Sequence, residues 1–212
     1  MANILYLHGF ASSPRSRKAQ WFRERLQSAG ERIEAPDLEN GDFRGLTISG
    51  MLEVVKAAAA EDTVTLMGSS LGGYVAALYA ELWPERVDRL ILMAPAFDFG
   101  RRWLEEVGAG AAKEWKRTGA MRMMHYGRGA EEEIGWALME DAMRYPAEPQ
   151  PRHAALVFHG SQDTVVPVES ARRWCAGHTE RRLVVHEDGH ELGESFEPMW
   201  QETQEFLSIT GR

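Results

Sequence analysis

The stretch Val64-Thr65-Leu66-Met67-Gly68-Ser69-Ser70-Leu71-Gly72-Gly73-Tyr74 is the most informative part of this 212-residue chain. An apolar strand leads into the pattern G-x-S-x-G at residues 68–72, and an alanine-rich helix follows it. A strand that turns sharply into a helix at a serine exposes the serine hydroxyl at the edge of a sheet. The glycines leave room for the turn, because side chains there would clash. Ser70 is the predicted nucleophile, ahead of a plain glycine–serine turn and of the neighbouring hydroxyl of Ser69.

A serine nucleophile needs a base, and the base needs a carboxylate that orients it. After this kind of turn the acid and then the histidine follow in loops behind later strands. Asp163 comes shortly after the predicted strand 155–159, and His190 comes just after the predicted strand 183–186. The sequence therefore predicts Ser70, Asp163 and His190 as a catalytic triad.

Asp188 is the competing acid. Its position before Gly189 is typical of a turn, and it lies only two residues from His190, which makes a supporting geometry awkward. His159 directly ends a predicted strand and is interpreted as structural.

The run Leu7-His8-Gly9-Phe10 ends the first predicted strand. Backbone N–H groups must hold the negative oxygen that forms when a serine attacks a carbonyl carbon. One donor is expected at the residue after the nucleophile, Leu71, and one in the loop after this strand. Gly9 allows a close approach of that loop, so Phe10, or alternatively Ala11, is predicted to supply the second N–H.

Short β-rich runs alternate with helical patterns, which is typical of an α/β protein with a mostly parallel sheet covered by helices on both faces. Most of the strands are continuous apolar runs, as expected for a doubly covered sheet. Six strands are predicted, at 4–8, 32–35, 63–67, 89–93, 155–159 and 183–186. Helices are predicted after a cap at Ser13 and Pro14, and at 47–60, 71–82, 168–176 and 195–207.

The alternation breaks between Met93 and Ala155, where no convincing strand is visible. Glycines divide this long stretch into short pieces that are interpreted as helices. We expect a single domain over residues 1–212, with residues 97–152 inserted as a helical cap over the sheet.

The run Tyr6-Leu7-His8-Gly9-Phe10-Ala11-Ser12-Ser13-Pro14-Arg15-Ser16-Arg17-Lys18-Ala19 resembles the small bacterial esterases of the YqiA kind, and so does the stretch 68–74. The overall pattern also resembles the palmitoyl-protein thioesterases of the α/β-hydrolase fold. The resemblance covers the chain except the cap, and it implies the α/β-hydrolase fold and the hydrolysis of carboxylic esters or thioesters.

The predicted cap is rich in large apolar side chains, and half of the chain's ten methionines lie between residues 121 and 143. Trp103, Trp115 and Met124 are predicted to contact an acyl chain, because such side chains form adaptable apolar linings. Packing of the cap onto the domain is the alternative. Residues 99–130 contain seven basic residues against three acidic ones, which fits either a solvated surface or the binding of an anionic carrier such as coenzyme A.

Composition excludes several classes of function. The chain has 24 Lys and Arg against 32 Asp and Glu, a net charge of −8, which disfavours nucleic-acid binding. The single cysteine, Cys175, excludes an intrachain disulfide and is interpreted as a packing residue. No metal or redox-cofactor motif is present, so no cofactor is expected. No secretory signal or apolar run of about 18 residues is visible, which predicts a cytoplasmic protein without a membrane partner.

The leading hypothesis is a serine esterase or thioesterase that acts on a small ester or acyl thioester, with an acylated protein left open as a substrate. The alternatives are a binding protein of the same fold without activity, and a peptidase or carbon–carbon hydrolase with the same triad. The oligomeric state stays open.

Overall fold

A computed structural model describes residues 3–209, so both ends of the predicted 1–212 domain lie outside the described residues. The strands are β1 (Asn3–Leu7), β2 (Arg32–Glu34), β3 (Val64–Ser69), β4 (Val87–Met93), β5 (Ala120–His125), β6 (Ala130–Gly135), β7 (Ala155–Gly160) and β8 (Arg181–His186). The α-helices are α1 (Arg17–Ser28), α2 (Ile48–Ala59), α3 (Leu71–Leu82), α4 (Phe99–Val107), α5 (Ala109–Thr118), α6 (Ala137–Ala142), α7 (Val168–Cys175) and α8 (Phe196–Leu207).

The central sheet has six strands in the order β2-β1-β3-β4-β7-β8, and every neighbouring pair is parallel. All six predicted strands are present, and the prediction of a doubly wound α/β sheet is confirmed. The chain runs from β1 outward to β2 and then returns to the other side of β1 as β3. Loops that leave β1 and β3 diverge at such a switch point, which is where open α/β sheets bind their ligands.

Both faces of the sheet carry a hydrophobic core, which explains the continuous apolar runs. Successive side chains of a strand point to opposite faces. In β1, Leu5 and Leu7 join the core beneath α2 and α3, whereas Ile4 and Tyr6 join the core beneath α1 and α8. All six residues of β3 are buried, so the strand that carries the predicted nucleophile is held on both sides.

Helix α1 begins later than predicted. Its N-cap is Ser16, whose Oγ accepts a hydrogen bond from the Ala19 amide at 3.3 Å. Ser13 and Pro14 instead belong to a turn in which the Ser16 amide donates to the Ser13 carbonyl at 3.0 Å. The cap prediction at Ser13 and Pro14 was wrong because a second serine, three residues on, satisfies the helix N-terminus.

The prediction that no strand lies between Met93 and Ala155 was also wrong. Helices α4, α5 and α6 are present, but β5 and β6 form an antiparallel hairpin outside the main sheet. The sequence obscured it because β6 contains three consecutive glutamates, which are depleted in strands. The segment 97–152 is therefore helical with one hairpin.

The turn of this hairpin rests on the loop that follows β1. The Gly127 amide donates to the Ala11 carbonyl at 3.0 Å, and a Cβ at Gly127 would lie 2.7 Å from the Ser12 backbone. The buried His125 ring contacts the buried Glu39 carboxylate at 2.7 Å, and Arg128 contacts the same carboxylate at 2.6 Å. A polar cluster and a close backbone contact thus hold the hairpin tip beside the predicted oxyanion loop.

Candidate active site

Ser70 lies in a strained turn between β3 and α3. Its φ is 52°, in the left-handed region that a residue with a side chain seldom adopts. A Cβ at Gly68 would overlap the Gly72 carbonyl, and a Cβ at Gly72 would overlap the Leu7 carbonyl. The Ser70 amide also donates to the Met93 carbonyl at 2.9 Å. Both glycines of the G-x-S-x-G pattern are therefore required by close backbone contacts, and the turn is anchored on β4.

His190 and Asp163 converge on Ser70 from the loops after β8 and β7. The Ser70 Oγ lies 3.0 Å from His190 Nε2, and His190 Nδ1 lies 2.8 Å from Asp163 Oδ2. A carboxylate only accepts hydrogen bonds, so the ring carries its proton on Nδ1. Nε2 is then free to accept a proton from the serine hydroxyl, and the arrangement can activate Ser70 as a nucleophile.

The carboxylate of Asp163 is buried, and its two oxygens are used by different partners. Oδ1 accepts hydrogen bonds from the amides of Val165 and Val166 at 2.8 Å each. Burial by itself raises the pKa of this carboxyl group, but hydrogen bonds from His159 and His190 and from the Val166 amide outweigh it. The pKa of Asp163 is held well below its usual range, so the group stays a carboxylate.

Asp188 takes a different role from that of an orienting acid. Its carboxylate accepts hydrogen bonds from the Gly189 amide at 2.7 Å, the Glu194 amide at 3.0 Å and the Ser195 hydroxyl at 2.8 Å. These contacts close the loop that carries His190, in line with the turn interpretation.

The predicted oxyanion donors border the same site. Phe10 and Leu71 both line the pocket that contains Ser70, and in the described part of the chain their amides donate to no protein acceptor. The buried His8 ring is bonded on both sides, because Nδ1 donates to the Gly9 carbonyl at 2.9 Å and Nε2 accepts from the Leu38 amide at 3.1 Å. Burial lowers the pKa of His8, which favours this neutral ring. His8 thereby fixes the backbone just before Phe10.

A pocket of about 630 Å³ opens over Ser70 and His190. One wall is apolar and comes mainly from the segment 97–152 and the oxyanion loop. It consists of Phe10, Phe99, Trp103, Met123 and Val165, and α4 also contributes the charged side chains of Arg102 and Glu106 to the pocket lining. A polar part of the lining comes mainly from the start of α1 and the loop before it. It consists of Ser12, Ser16, Arg17, Lys18 and Ser69, of which Ser69 belongs to β3.

Of the predicted substrate contacts, Trp103 lines this pocket, whereas Trp115 and Met124 do not. Trp115 is 1% exposed, packs behind Trp103 and donates its indole N–H to the Ile134 carbonyl at 2.9 Å. Met124 is 43% exposed, and Met123 occupies the position next to the pocket. A shift of one residue along a strand reverses the face, and this shift made the Met124 prediction wrong.

The sequence model of a family described as "Uncharacterised protein family (UPF0227)" matches residues 3–208. The chain belongs to the UPF0227 family. The match spans every strand and helix of the described structure, including the segment 97–152. No curated protein sequence matches the chain significantly.

Solved structures of low sequence identity share the α/β-hydrolase fold of this UPF0227 member. A putative hydrolase from Agrobacterium vitis is 22% identical with a TM-score of 0.84, over 99% of this chain and 88% of its own. Mouse alpha/beta hydrolase domain-containing protein 10 is 19% identical with a TM-score of 0.79, over 97% and 89%. A monoacylglycerol lipase from Paleococcus ferrophilus is 18% identical with a TM-score of 0.77, over 98% and 94%.

Within the described residues of this family member, two features are absent: a membrane-spanning helix and a cluster of metal ligands. No helix within residues 3–209 is long and apolar enough to cross a membrane. Over the same range, no group of three or more His, Cys, Asp or Glu side chains is placed to hold a metal ion.

Lys18 is a pocket residue that the sequence reasoning missed. Its side chain is buried at 5% exposure, and Nζ donates to Ser69 Oγ at 3.0 Å. Desolvation lowers the pKa of Lys18, against the opposing effect of Glu191. The spacing of residues 18, 22 and 26, which lie four apart, could have predicted its burial. Phe22 and Leu26 face the core, so Lys18 lies on the same face of α1.

His159 was interpreted as structural, and the structure places it directly behind the predicted acid. Its Nε2 lies 2.8 Å from the Val166 carbonyl and 3.2 Å from Asp163 Oδ2. Both partners are acceptors, so Nε2 must carry a proton. His159 therefore helps to keep Asp163 ionised and correctly turned.

Proposed function

We propose that this protein is a serine hydrolase that cleaves carboxylic esters or acyl thioesters through an acyl-serine intermediate. The continuous hydrogen-bonded path from Ser70 through His190 to Asp163 is the observation that carries the proposal. In this assignment Ser70 is the nucleophile, His190 is the base, and Asp163 orients the imidazole.

The reaction begins when His190 Nε2 takes the proton of the Ser70 hydroxyl while Oγ attacks the carbonyl carbon of the substrate. The C–O π electrons move to the carbonyl oxygen, and the amides of Phe10 and Leu71 donate to the resulting oxyanion. His190 then gives its proton to the departing alcohol or thiol as the bond to the carbonyl carbon breaks. Water, activated by His190, repeats these steps on the acyl-serine and releases the acid.

Asp163 supports this cycle by its charge. The imidazole becomes positively charged twice in each turnover, and a buried carboxylate 2.8 Å from Nδ1 stabilises that charge. Because the pKa of Asp163 lies well below its usual range, the carboxylate does not take the proton itself at neutral pH.

The pocket supports a small-molecule substrate. Its volume of about 630 Å³ falls within the roughly 300–1,000 Å³ that is typical of sites for small ligands. We assign the wall around Trp103 to the acyl group, since that wall is apolar. An acylated protein stays open as a substrate, because the pocket opens to the surface.

Two alternatives compete with this assignment. A binding protein without activity has no need of a strained serine hydrogen-bonded to a histidine, so the geometry favours the enzyme. A peptidase or a carbon–carbon hydrolase uses the same triad, and the triad alone does not select the bond that is cleaved. A monoacylglycerol lipase shares this fold, which supports esters as the first substrates to test.

The proposal is tested first with a fluorophosphonate probe and intact-mass measurement. We expect one adduct in the parent protein, none in Ser70→Ala, and an undiminished adduct in the matched variant Ser69→Ala. Parallel ester and thioester series with the same acyl groups then establish the reaction. An adduct that persists in Ser70→Ala, or hydrolysis that survives this change, would rule out Ser70 as the nucleophile.

A further inference from the structure

Lys18 places a cationic group inside the proposed active-site pocket, although the proposed chemistry does not use it. Nζ has three protons to donate, and the contact at hydrogen-bond distance is the neutral Ser69 hydroxyl at 3.0 Å. The nearest carboxylate within residues 3–209, that of Glu191, lies 3.9 Å away and is 87% exposed to solvent. Lys18 is therefore a buried cation without a buried counter-ion in direct contact.

Such an arrangement is costly for folding. Burial of an ammonium group is unfavourable unless charge and hydrogen-bonding partners replace its hydration. The position on α1 is a core position by its spacing, so an apolar side chain there would avoid this desolvation cost. The incomplete set of partners, together with its place in the pocket lining, points to a partner that arrives from outside.

The position of Lys18 relative to His190 indicates which part of the substrate it meets. Glu191 directly follows His190, and Lys18 Nζ approaches Glu191, so the ammonium lies on the histidine side of the pocket. The apolar wall around Trp103 lies on the side of the oxyanion loop. His190 must protonate the leaving group, so the leaving group occupies the Lys18 side and the acyl group the apolar side.

We propose that Lys18 binds an anionic group, a carboxylate or a phosphate, carried by the alcohol or thiol part of the substrate. Arg17, exposed beside it in the pocket lining, extends the same cationic wall. This inference rests on the proposed hydrolase function and narrows it to esters with an anionic leaving group.

The test compares matched esters that differ only in charge. The leaving-group pair is the butyrate ester of 4-(hydroxymethyl)benzoate and that of 4-(hydroxymethyl)benzamide, and the phosphate arm is the butyrate ester of 4-(hydroxymethyl)phenyl phosphate. The acyl pair is benzyl hemisuccinate and benzyl succinamate. The measured quantity is the ratio of kcat/KM for the anionic ester to that for its neutral partner.

In Lys18→Met we expect the leaving-group ratio to fall about 10- to 100-fold, because a charge-assisted hydrogen bond is lost. Lys18→Arg should recover part of the ratio. Arg17→Met, at an exposed position that tolerates the change, should lower it less. Arg15→Met removes a charge from the same segment outside the pocket lining and should leave the ratio unchanged.

Each other result decides against the inference. Equal losses on both members of a pair mean that Lys18 only holds Ser69 in place. A fall confined to the acyl pair means that the anion belongs on the acyl side. If Lys18→Met does not fold, the neutral but polar variant Lys18→Gln replaces it, and an unchanged leaving-group ratio in Lys18→Gln overturns the inference. If the parent protein hydrolyses none of these esters, the neutral ones included, the proposed function itself fails. Hydrolysis of the neutral esters therefore tests the proposed function separately from the role of Lys18.

Discussion

The turn around Ser70 and the hairpin β5–β6 both border the pocket, but they are held in place by different means. The turn joins a fully buried strand to a helix whose first ten residues are buried, and its glycines meet backbone on both sides. The hairpin has exposed residues along both strands and is fixed by the contacts of His125, Arg128 and Gly127. Dense apolar packing leaves the turn around Ser70 little conformational freedom. The hairpin is held by a few polar contacts and has less packing around it.

This difference separates the proposed chemistry from the proposed selectivity. The groups assigned to bond cleavage lie on loops anchored in the parallel sheet. This anchoring is suitable because proton transfer requires the donor and acceptor atoms to be held at hydrogen-bond distance. The groups assigned to the acyl chain lie largely on the segment 97–152. Changes near the turn should therefore affect turnover with all esters, and changes on the hairpin should affect the preference among esters.

The largest effect is expected from Asp163→Asn. Loss of the carboxylate removes the partner that fixes the His190 tautomer, so kcat should fall on the order of 10³- to 10⁴-fold. Asp188→Asn is the matched change and should cost far less, because Asp188 only closes the loop around residues 188–195. Steady-state kinetics on one short ester measure both. A larger loss in Asp188→Asn would exchange the two assignments.

A smaller effect is expected from Gly127→Ala at the hairpin tip. The new Cβ would lie 2.7 Å from the Ser12 backbone, so the tip or the oxyanion loop must shift. Displacement of an oxyanion donor by a fraction of an ångström should lower kcat about 10- to 100-fold.

The control for this change is Gly110→Ala in α5, where a Cβ meets nothing within 4 Å. It should keep the parent kinetics and unfold at an equal or higher temperature, because alanine is the better helix residue. If Gly127→Ala matches this control in both kinetics and thermal unfolding, the hairpin does not position the oxyanion loop.

The smallest effect is expected from Met123→Ala. Each buried methylene contributes about 0.8 kcal/mol, which is roughly fourfold in kcat/KM when it is realised in the transition state. Activity should rise from acetyl to medium-chain esters in the parent protein, and Met123→Ala should move the optimum towards longer chains. Met124→Ala, exposed and outside the pocket, should follow the parent profile. A flat profile in all three proteins would assign the segment to packing alone.

The fold and the positions of the three proposed catalytic residues could be predicted from local pattern combined with topology. Apolar runs between helices predict a parallel sheet, and loops at the carboxyl ends of its strands meet at one edge. Asp163 and His190 are distant from Ser70 in sequence, yet they follow strands of that sheet. This rule places them beside Ser70 without any detail of side-chain packing.

The remaining features of the pocket depend on tertiary contacts, which leave no local pattern in the sequence. In the sequence, Lys18 looks like a solvent-exposed lysine near a helix N-terminus. Its burial becomes visible only in the structure, where it packs against the sheet and donates to Ser69. Trp115 and Trp103 look equivalent in sequence, but only the three-dimensional packing puts one behind the other. The hairpin was missed because its glutamates lower the strand propensity, and tertiary contacts override propensity of this size.

The hydrogen bond between the Gly127 amide and the Ala11 carbonyl has a mechanical consequence. It ties the hairpin tip, which borders the pocket through Tyr126, to Ala11, the residue that follows Phe10 in the oxyanion loop. A change of sequence in the hairpin can therefore alter the position of the Phe10 amide without touching any of the three proposed catalytic residues.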